Sequence, residues 1–374
     1  MSDNYQSFAH NPIGKFLVKN LGLPNPPFLE RWSEGDPLVD GTVLHGAAPG
    51  SSLGKNVPNA LKTAGIESTT VRAPAKKYKG LVFDATGIDS AEGLVALQEF
   101  FTPVLRQLAG CGRVVVIGSA VDEAATESAA IARRALEGFT RSLGKEVGGG
   151  STVNLVYVSE GAEKSIGSTL AFFLSPKSAY VSAQVTRIGA TGITTAPTVK
   201  DLVKPLAGKV ALVTGASRGL GEADMRTLAR DGATVIGLDV PPLADDLKAL
   251  ADELGGEYIV GDITAPEAPA DIAAHIAKNH GGVDIVVHNA GITRDKRLRN
   301  MAPENWNLVV DISVGAPQRI TDHLLEEKLI NDGGLVVGIA SIAGIAGNNG
   351  QTNYASAKAG VIGFVEALAP QVAE

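Results

Sequence analysis

The sequence contains a single cysteine, Cys111, in 374 residues. One thiol excludes an intrachain disulfide and favours a reducing compartment. No apolar run approaches the roughly 20 residues that a transmembrane helix needs. The start, MSDNYQSFAHNPIGKF, lacks the basic and apolar segments of a signal peptide. We therefore predict a soluble, cytoplasmic protein with no membrane partner.

An excess of positive charge is also missing. Lys and Arg total 33 against 40 Asp and Glu, a formal net charge of −7, which argues against nucleic acid as the main partner. The six histidines are scattered and show no metal-ligand spacing with the cysteine, so no metal site is expected. Apolar residues are abundant, at 44% of the sequence, and a chain of 374 residues is too long for one ordinary core, so we predict two domains.

Buried-strand and helix patterns alternate along the first half. Such alternation is typical of a doubly wound parallel sheet. A helix is predicted between the second and third apolar runs, and another over 127–147. Strands are predicted at 42–50, 79–88, 112–120, 152–160 and 183–190.

The same alternation restarts in the second half, so we predict two tandem Rossmann-like α/β domains. The strands are predicted at 209–215, 233–240, 255–263, 283–291 and 333–341. Several prolines mark an N-terminal arm, and a segment without periodicity marks the inter-domain linker. The predicted organisation is an arm over 1–40, a first domain over 41–192, a linker over 193–207 and a second domain over 208–374.

The two halves resemble each other in sequence, which indicates an internal repeat. RALEGFTRSLGKE (134–146) parallels KAGVIGFVEALAP (358–370), with Gly138-Phe139 matching Gly363-Phe364, and VFDATGI (82–88) parallels VHNAGI (287–292). In this register Tyr354 falls opposite Ala129, and Lys358 falls opposite Arg133. The first domain is therefore expected to be a degenerate, non-catalytic, flavodoxin-like copy of the fold.

The segment TGASRGLG places Gly215, Gly219 and Gly221 at a strand-to-helix junction. Glycines there permit a tight turn and close approach of the backbone to a phosphate, which then faces the helix N-terminus. Asp239 ends the next strand, where an acidic side chain accepts hydrogen bonds from ribose hydroxyls. Its charge would repel the extra phosphate of NADP, so we expect NAD(H). Arg218 could attract that phosphate, which leaves NADP(H) as an alternative.

The segment SIAGIAGNNGQTNYASAK carries residue types suited to proton delivery. Tyr354 and Lys358 are four residues apart and share one face of a helix. A neighbouring ammonium favours the phenolate form, which makes the phenol a usable acid. Ser341, just after an apolar run, could donate a hydrogen bond to the same substrate oxygen. An ordinary surface helix carrying a tyrosine and a lysine is the alternative.

Together, these motifs resemble the short-chain dehydrogenase/reductases. Within that family, NAGITRDKRL and IASIAGIAGNNGQTNYASAKAGVIGF look most like the 3-oxoacyl-[acyl-carrier-protein] reductases. The degenerate first half further resembles the two-domain high-molecular-weight ketoacyl reductases of actinobacteria. The motifs that carry the family resemblance are TGASRGLG, Asp239, Asp262 in GDI, HNAG (288–291), Ser341 and YASAK.

The resemblance implies a role for each matching residue. Tyr354 would protonate the carbonyl oxygen while NADH delivers hydride, Lys358 would bind the nicotinamide ribose, and Ser341 would hold the substrate oxygen. A structural turn role is an equal alternative for Asn289. The residues implied to bind the cofactor, besides Tyr354 and Lys358, are Gly215, Ser217, Arg218, Gly219, Leu220, Gly221, Asp239, Asp262, Ile263, Asn289, Ala290 and Gly291.

The sequence departs from the family pattern at three places. Ser313 stands where the family usually has an asparagine that completes a proton relay through water, so the relay would rest on one hydroxyl. His288 replaces an asparagine, and we expect it to be structural rather than functional. The sequence stops at Glu374, so the second sheet is expected to lack its last strands, with an exposed edge and uncovered apolar surface.

The leading hypothesis is an oxidoreductase that reduces 3-oxoacyl thioesters of acyl carrier protein or coenzyme A to 3-hydroxyacyl thioesters with NADH. The sequence does not decide between the two carriers. A non-catalytic cofactor-binding or scaffold protein is the rival, and a reductase of steroids, sugars or other small carbonyls is a third reading. The family commonly assembles through helices flanking the sheet, so a homodimer is expected.

Overall fold

The computed structural model describes residues 4–189 and 201–373. It divides into two compact units, the first unit Met1–Leu202 and the second unit Val203–Glu374. Most of the predicted linker, 193–200, lies outside the described residues. Each unit contains one all-parallel sheet with helices, which confirms the predicted α/β class with two Rossmann-like sheets.

The described part of the first unit forms a six-stranded sheet of order β2-β1-β3-β4-β5-β6. The first five positions reproduce the flavodoxin-like order 2-1-3-4-5, as predicted. Every residue of β5 is buried, as expected of a central parallel strand covered on both faces. The strands are β1 Val43–Ala47, β2 Ser68–Thr69, β3 Tyr78–Asp84, β4 Leu108–Ser119, β5 Thr152–Val158 and β6 Val185–Ile188.

Helices flank this sheet, and the helix predicted over 127–147 is present as α5. It begins where the Thr126 side chain accepts a hydrogen bond from Ala129 N at 3.1 Å. The helices of the first unit are α1 Asn4–His10, α2 Pro12–Leu21, α3 Asn56–Thr63, α4 Val95–Val104, α5 Glu127–Glu146 and α6 Ile166–Leu174.

The N-terminal segment, predicted as an arm, contains the two helices α1 and α2. Asn11 starts α2 by accepting a hydrogen bond from Gly14 N at 2.7 Å, and Pro12 occupies the first turn. A proline at that position lacks only an N–H that would be unpaired anyway. Gly22, with φ 63°, ends the helix. Beyond it, Trp32 is buried in the first unit with the Lys177 ammonium 4.4 Å from its ring centroid.

In the second unit the described residues form a five-stranded sheet of order β11-β10-β7-β8-β9. All five predicted strands are present. They are β7 Val210–Thr214, β8 Thr234–Asp239, β9 Glu257–Val260, β10 Val283–His288 and β11 Ile330–Gly338. The helices are α7 Gly219–Arg230, α8 Ala244–Leu254, α9 Ala268–Asn279, α10 Pro303–Val310, α11 Ala316–Glu326, α12 Ile342–Ala346 and α13 Thr352–Leu368.

Both faces of the second sheet are buried near its centre. Along β7, Leu212 packs into one apolar cluster with residues of α9 and α11, whereas Val213 packs into the opposite cluster with residues of α7 and α8. Side chains of successive strand residues point to opposite faces, so this alternation anchors helices on both sides. Because the strands are parallel, their carboxyl ends lie together along one edge of the sheet.

Apolar side chains are exposed on β11. Among the described residues, β11 pairs with β10 and forms the edge of the sheet. Leu335 is 57% exposed and Val337 is 40% exposed. Within the described ranges, no helix is both long and apolar enough to cross a bilayer.

Candidate nucleotide-binding and catalytic site

The loop between β7 and α7 depends on close packing of glycines. Gly215 has φ 65°, and a Cβ there would lie 2.9 Å from Ala290 Cα. A Cβ on Gly221 would lie 2.1 Å from the Gly215 carbonyl oxygen. Any side chain at either position would push the loop away from β10. The sequence therefore fixes a tight loop that brings the amino end of α7 to the edge of the sheet.

The amino end of α7 is open to an anion. The helix begins at Gly219, and Arg218 at its cap makes no side-chain capping bond to any residue the structure describes. The first N–H groups of a helix lack intrahelical partners and carry its positive dipole end. Leu220, in the first turn, is 66% exposed. The loop and the helix start thus fit the pyrophosphate of a dinucleotide.

Asp239 lies at the carboxyl end of β8 and is tied to the same loop. Its Oδ2 accepts hydrogen bonds from the main-chain N of Ser217 at 3.0 Å and from the Ser217 hydroxyl at 2.5 Å. Its Oδ1 accepts from Val240 N at 2.9 Å. Both donors of Ser217 are therefore directed at a carboxylate, and none is left for a phosphate. The structure gives Ser217 a part in shaping the loop, which sequence alone did not distinguish from cofactor contact.

Asn289 holds β10 against the glycine-rich loop. Its Nδ2 donates to the carbonyl oxygens of Thr214 and Gly215, both at 3.0 Å. The Thr214 hydroxyl in turn accepts from the main-chain N of Asn289 and of Ala290. Of the two roles weighed for Asn289, the observed contacts are those of a residue that positions the loop.

Asp262 and Ile263 follow β9 and differ in what they can offer a ligand. Asp262 is exposed, and its Oδ1 accepts from the main-chain N and the hydroxyl of Thr264 at 2.9 and 2.8 Å. Ile263 is buried in the core cluster that contains Leu238. The Ile263 side chain therefore supports the sheet, and only its main chain and the second oxygen of Asp262 could face a cofactor.

Tyr354 and Lys358 lie one turn apart on α13, as their spacing predicted. Lys358 is 4% exposed, and its Nζ donates to the Ile339 carbonyl oxygen at 2.7 Å and lies 5.8 Å from the Tyr354 ring centroid. Burial lowers the pKa of the Lys358 ammonium below its ordinary value. A desolvated cation beside a partly exposed phenol can stabilise negative charge on that phenol.

The same hydrogen bond connects α13 to the segment that carries Ser341. Ile339 follows β11 and precedes Ser341 by two residues. The Ser341 Oγ accepts from Ala343 N at 3.2 Å and caps α12, so its O–H remains a donor. A Cβ built on Gly291 would lie 3.4 Å from Lys358 Nζ. The structure therefore brings the loop after β10, the end of β11 and α13 together.

Ser313 lies in a π-helical turn, Asp311–Gly315, between α10 and α11. Its side chain is 3% exposed, and its Oγ has no hydrogen-bond partner among the described residues. Buried hydroxyls without a protein partner often bind an ordered water, and π-helical turns recur at functional sites. The turn had no signal in the sequence pattern.

His288 is buried, and its Nδ1 has no hydrogen-bond partner among the described residues. Its Nε2 lies 2.8 Å from the Thr321 hydroxyl, and its ring packs edge-on to Phe364 with centroids 6.2 Å apart. Burial lowers the pKa of His288 to about 4 from its ordinary 6.5, so the ring is neutral near pH 7.

Asn353 is a positioning residue that the sequence reading missed. It is fully buried, its Nδ2 donates to the Arg294 carbonyl oxygen at 3.1 Å, and its Oδ1 accepts from Tyr354 N at 2.8 Å. It thus joins the loop after β10 to the main chain of Tyr354 at the start of α13. In the sequence, Asn353 is recognisable only as a polar residue next to Tyr354 at the start of a helix, a pattern that many surface helices share.

Comparison with known proteins places these residues in a family. The sequence model described as short chain dehydrogenase matches residues 209–374. A protein named 3-oxoacyl-[acyl-carrier-protein] reductase FabG from Escherichia coli strain K12 is 41% identical over 168 residues, 44% of this chain and 68% of that protein. Proteins of the same name are 42% identical over 170 residues in Vibrio cholerae and 43% over 172 residues in Pseudomonas aeruginosa, each covering 45% of this chain and 69% of the relative.

The aligned share exceeds two thirds of each of these relatives at about 40% identity. The matched region contains the glycine-rich loop, the Ser341 segment and α13. Both the sequence similarity and the arrangement of these residues therefore make this chain a member of the short-chain dehydrogenase/reductase family, an oxidoreductase that uses a nicotinamide cofactor.

Proposed function

We propose that this chain reduces a 3-oxoacyl thioester to the 3-hydroxyacyl thioester with NADH. In the balanced reaction, the thioester, NADH and one proton give the hydroxy product and NAD⁺. The observation that carries the proposal is the bond from Lys358 Nζ to the Ile339 carbonyl oxygen, because it draws the Tyr354 helix to the Ser341 segment. Names of the relatives support the substrate class, since each contains 3-oxoacyl-[acyl-carrier-protein] reductase.

Each of three side chains has a distinct task in this reaction. Tyr354 donates its phenolic proton to the keto oxygen at C3. The buried Lys358 ammonium stabilises the phenolate that this transfer leaves, and it also faces the loop at Gly291, where the nicotinamide ribose would bind. Ser341 donates its remaining O–H to the same keto oxygen. When bound, the cofactor supplies the hydride that C3 receives.

Ser313 is proposed to hold a water that returns a proton toward Lys358. Support comes from its buried hydroxyl, which lacks a partner in the described part of the chain, and from the π-helical turn around it. A serine hydroxyl donates one hydrogen bond and accepts two, enough to hold a single water. Replacing Ser313 by asparagine, the residue more usual in the family, is expected to preserve or raise turnover.

NAD(H) is the proposed cofactor, with NADP(H) as the weaker alternative. Asp239 ends β8 with a buried carboxylate, and its negative charge opposes the extra phosphate of NADP. Arg218 is exposed beside the loop and is the side chain that could counter this charge. We expect kcat/KM to be higher with NADH than with NADPH, and Arg218→Gln to widen that ratio. A higher kcat/KM with NADPH would overturn the preference.

The activity test follows the loss of NADH absorbance with acetoacetyl-CoA and with acetoacetyl-acyl carrier protein as separate substrates. We expect turnover with at least one of the two, and a fall of about 10³-fold in Tyr354→Phe, within the range for loss of a general acid. Tyr258→Phe is the matched control, because Tyr258 lies on β9 in the same unit and is 37% exposed.

Two outcomes would count against the proposal. NADH binding measured by fluorescence, without turnover of either thioester, would favour the non-catalytic alternative. Turnover of steroid or sugar carbonyls in preference to the thioesters would keep the reductase chemistry and reject the substrate class. The choice between carriers follows from which acetoacetyl thioester gives the higher kcat/KM.

A further inference from the structure

Three side chains able to bind a metal ion converge at the amino end of β9. Glu257 is the first residue of β9, His275 lies in α9, and His280 caps the end of that helix. One ligand atom from each lies within 4.8 Å of the other two. His275 Nε2 is 2.7 Å from Glu257 Oε2, and His280 Nε2 is 3.2 Å from Glu257 Oε1.

Hydrogen bonding within the protein leaves one of these atoms unsatisfied. His280 Nε2 is buried and, despite its closeness to Glu257, forms no hydrogen bond with any described residue. A buried polar nitrogen without a partner destabilises the folded chain. The Glu257 carboxylate is meanwhile oriented by Asn279, whose Nδ2 donates to Oε2 at 3.0 Å. Two imidazoles and an oriented carboxylate therefore face one another, and His280 Nε2 remains available to bind a ligand.

We propose that Glu257, His275 and His280 form a binding site for a divalent transition metal of the zinc type. Imidazole ligands favour Zn²⁺ and its neighbours, whereas Mg²⁺ and Ca²⁺ prefer oxygen. With metal–ligand bonds of about 2.0–2.2 Å, the ligand atoms of a tetrahedral zinc site lie roughly 3.3–3.5 Å apart. The present separations at Glu257 require only small shifts to reach that geometry, with water as the fourth ligand.

The position of this site gives it a structural role. It lies at the amino end of β9, whereas the glycine-rich loop follows the carboxyl end of β7, and the two strands are parallel within the sheet. The site and the nucleotide loop therefore lie at opposite edges of the sheet. The last turn of α9 carries the negative end of its dipole, which favours a cation there. The metal joins the edge strand β9 to α9 and takes no part in hydride transfer.

The test uses tag-free, chelator-treated full chain, titrated with zinc chloride by calorimetry and with Co²⁺ by visible absorption. We expect saturable binding at a single site per chain, the absorption bands of four-coordinate Co²⁺, and a higher melting temperature with zinc. His275→Gln and His280→Gln are expected to weaken zinc binding by about 100-fold or more, since even loss of an outer-shell partner costs 10–100-fold. His323→Gln, a histidine of α11 outside the cluster, is the matched control.

The proposal fails if the wild-type chain binds neither ion at about 1 mM, or if both glutamine variants bind zinc as the control does. Either result would make the cluster an ion pair only. Should a variant fold poorly by circular dichroism, the Co²⁺ spectrum of the wild-type chain still decides, because absence of four-coordinate bands contradicts the site. NADH binding is expected to be the same with and without zinc, in line with a site remote from the nucleotide loop.

Discussion

The two units share a parallel α/β architecture but treat the carboxyl edge of their sheets in opposite ways. In the first unit, Asp84 at the end of β3 accepts hydrogen bonds from Leu53 N, Thr86 N and the Thr86 hydroxyl at 2.7–3.0 Å. A Cβ on Gly87 would lie 2.2 Å from the Pro49 carbonyl oxygen. The crevice at which doubly wound sheets bind ligands is thus filled by the unit's own loops.

The second unit carries the glycine-rich loop and an uncapped helix start at the same edge. Asp239 holds the glycine-rich loop, and the amino end of α7 stays without a side-chain cap from the described residues. A common topology therefore places a crevice in each unit, and a few polar side chains decide whether a ligand can enter it.

The helices α5 and α13 show the second difference. Ala129 is buried where the repeat register places Tyr354. Arg133, opposite Lys358, donates to Asp89 Oδ1 and to the Ala120 carbonyl oxygen at 3.0 Å each. In both helices a cation thus bonds a carbonyl that follows a strand, but in the first unit a carboxylate also neutralises it. The first unit therefore keeps a cation, Arg133, but has no tyrosine beside it, so this cation can only stabilise the fold.

The largest expected effect comes from giving the second unit the cation of the first. Lys358→Arg is expected to lower kcat by about 10³-fold, because a planar guanidinium cannot replace a compact buried ammonium beside Gly291. NADH oxidation measures it. The reciprocal change, Arg133→Lys, should leave kcat within about twofold. If Lys358→Arg keeps more than about a tenth of the activity, the special role of this ammonium is wrong.

A smaller loss is expected from emptying the filled crevice of the first unit. Asp84→Ala removes the acceptor of two buried amides and a hydroxyl, and it should lower the free energy of unfolding by about 3–4 kcal/mol. Urea denaturation measures this change. NADH affinity should stay unchanged when it is measured without urea, at a temperature at which the variant is folded. An intact stability with weakened NADH binding would instead assign the cofactor to the first unit.

The pH dependence of stability should differ between the two units, because the second unit buries a histidine, His288, at the end of β10, where the repeat register places Phe83 of the first unit. His288 has a folded pKa of about 4 against 6.5, so the unfolded state binds more protons between these values. Its contribution is complete above about pH 6.5 and is lost as the pH falls to 4, by at most about 3 kcal/mol. His288→Phe copies Phe83, its repeat partner, and should remove this dependence from denaturation curves recorded from pH 4 to 7. An unchanged pH profile would contradict the assignment.

The smallest effect should be equal in the two units. Gly138 in α5 and Gly363 in α13 are repeat partners, and apart from the neighbouring backbone of its own helix a Cβ at either would meet no atom of the described residues within 4 Å. Each glycine-to-alanine change should raise the free energy of unfolding by about 0.5–1 kcal/mol through helix propensity. Thermal denaturation measures both changes. A loss of stability at one position only would show that the repeat register is wrong there.

Most of the fold could be predicted from the sequence because buried parallel strands occur as continuous apolar runs. β5 shows this most clearly, since it is buried along its whole length. The first helices were missed because the several prolines of the first 40 residues were taken as the mark of an arm, although one of them, Pro12, sits in a first helical turn. The two-residue strand β2 is too short to have a period.

The sequence predicted the site only where the spacing of residues along one element decides their relative position. Tyr354 and Lys358 share a helix face because they are four apart. The inward bonds of Ser217 and the link made by Asn353 depend on packing between elements, which spacing does not encode. The same holds for the histidines thought to be scattered. His275 lies 18 residues from Glu257, yet α9 and β9 bring the two side chains together.

Calorimetric titration with NADH tests the central claim, that the second unit alone holds the cofactor. The account predicts a single site per chain, and it predicts that Gly221→Ala abolishes binding because a Cβ there would lie 2.1 Å from the Gly215 carbonyl oxygen. Circular dichroism of the variant should show that the rest of the chain remains folded. Two sites per chain, or a single site that survives Gly221→Ala, would contradict the account.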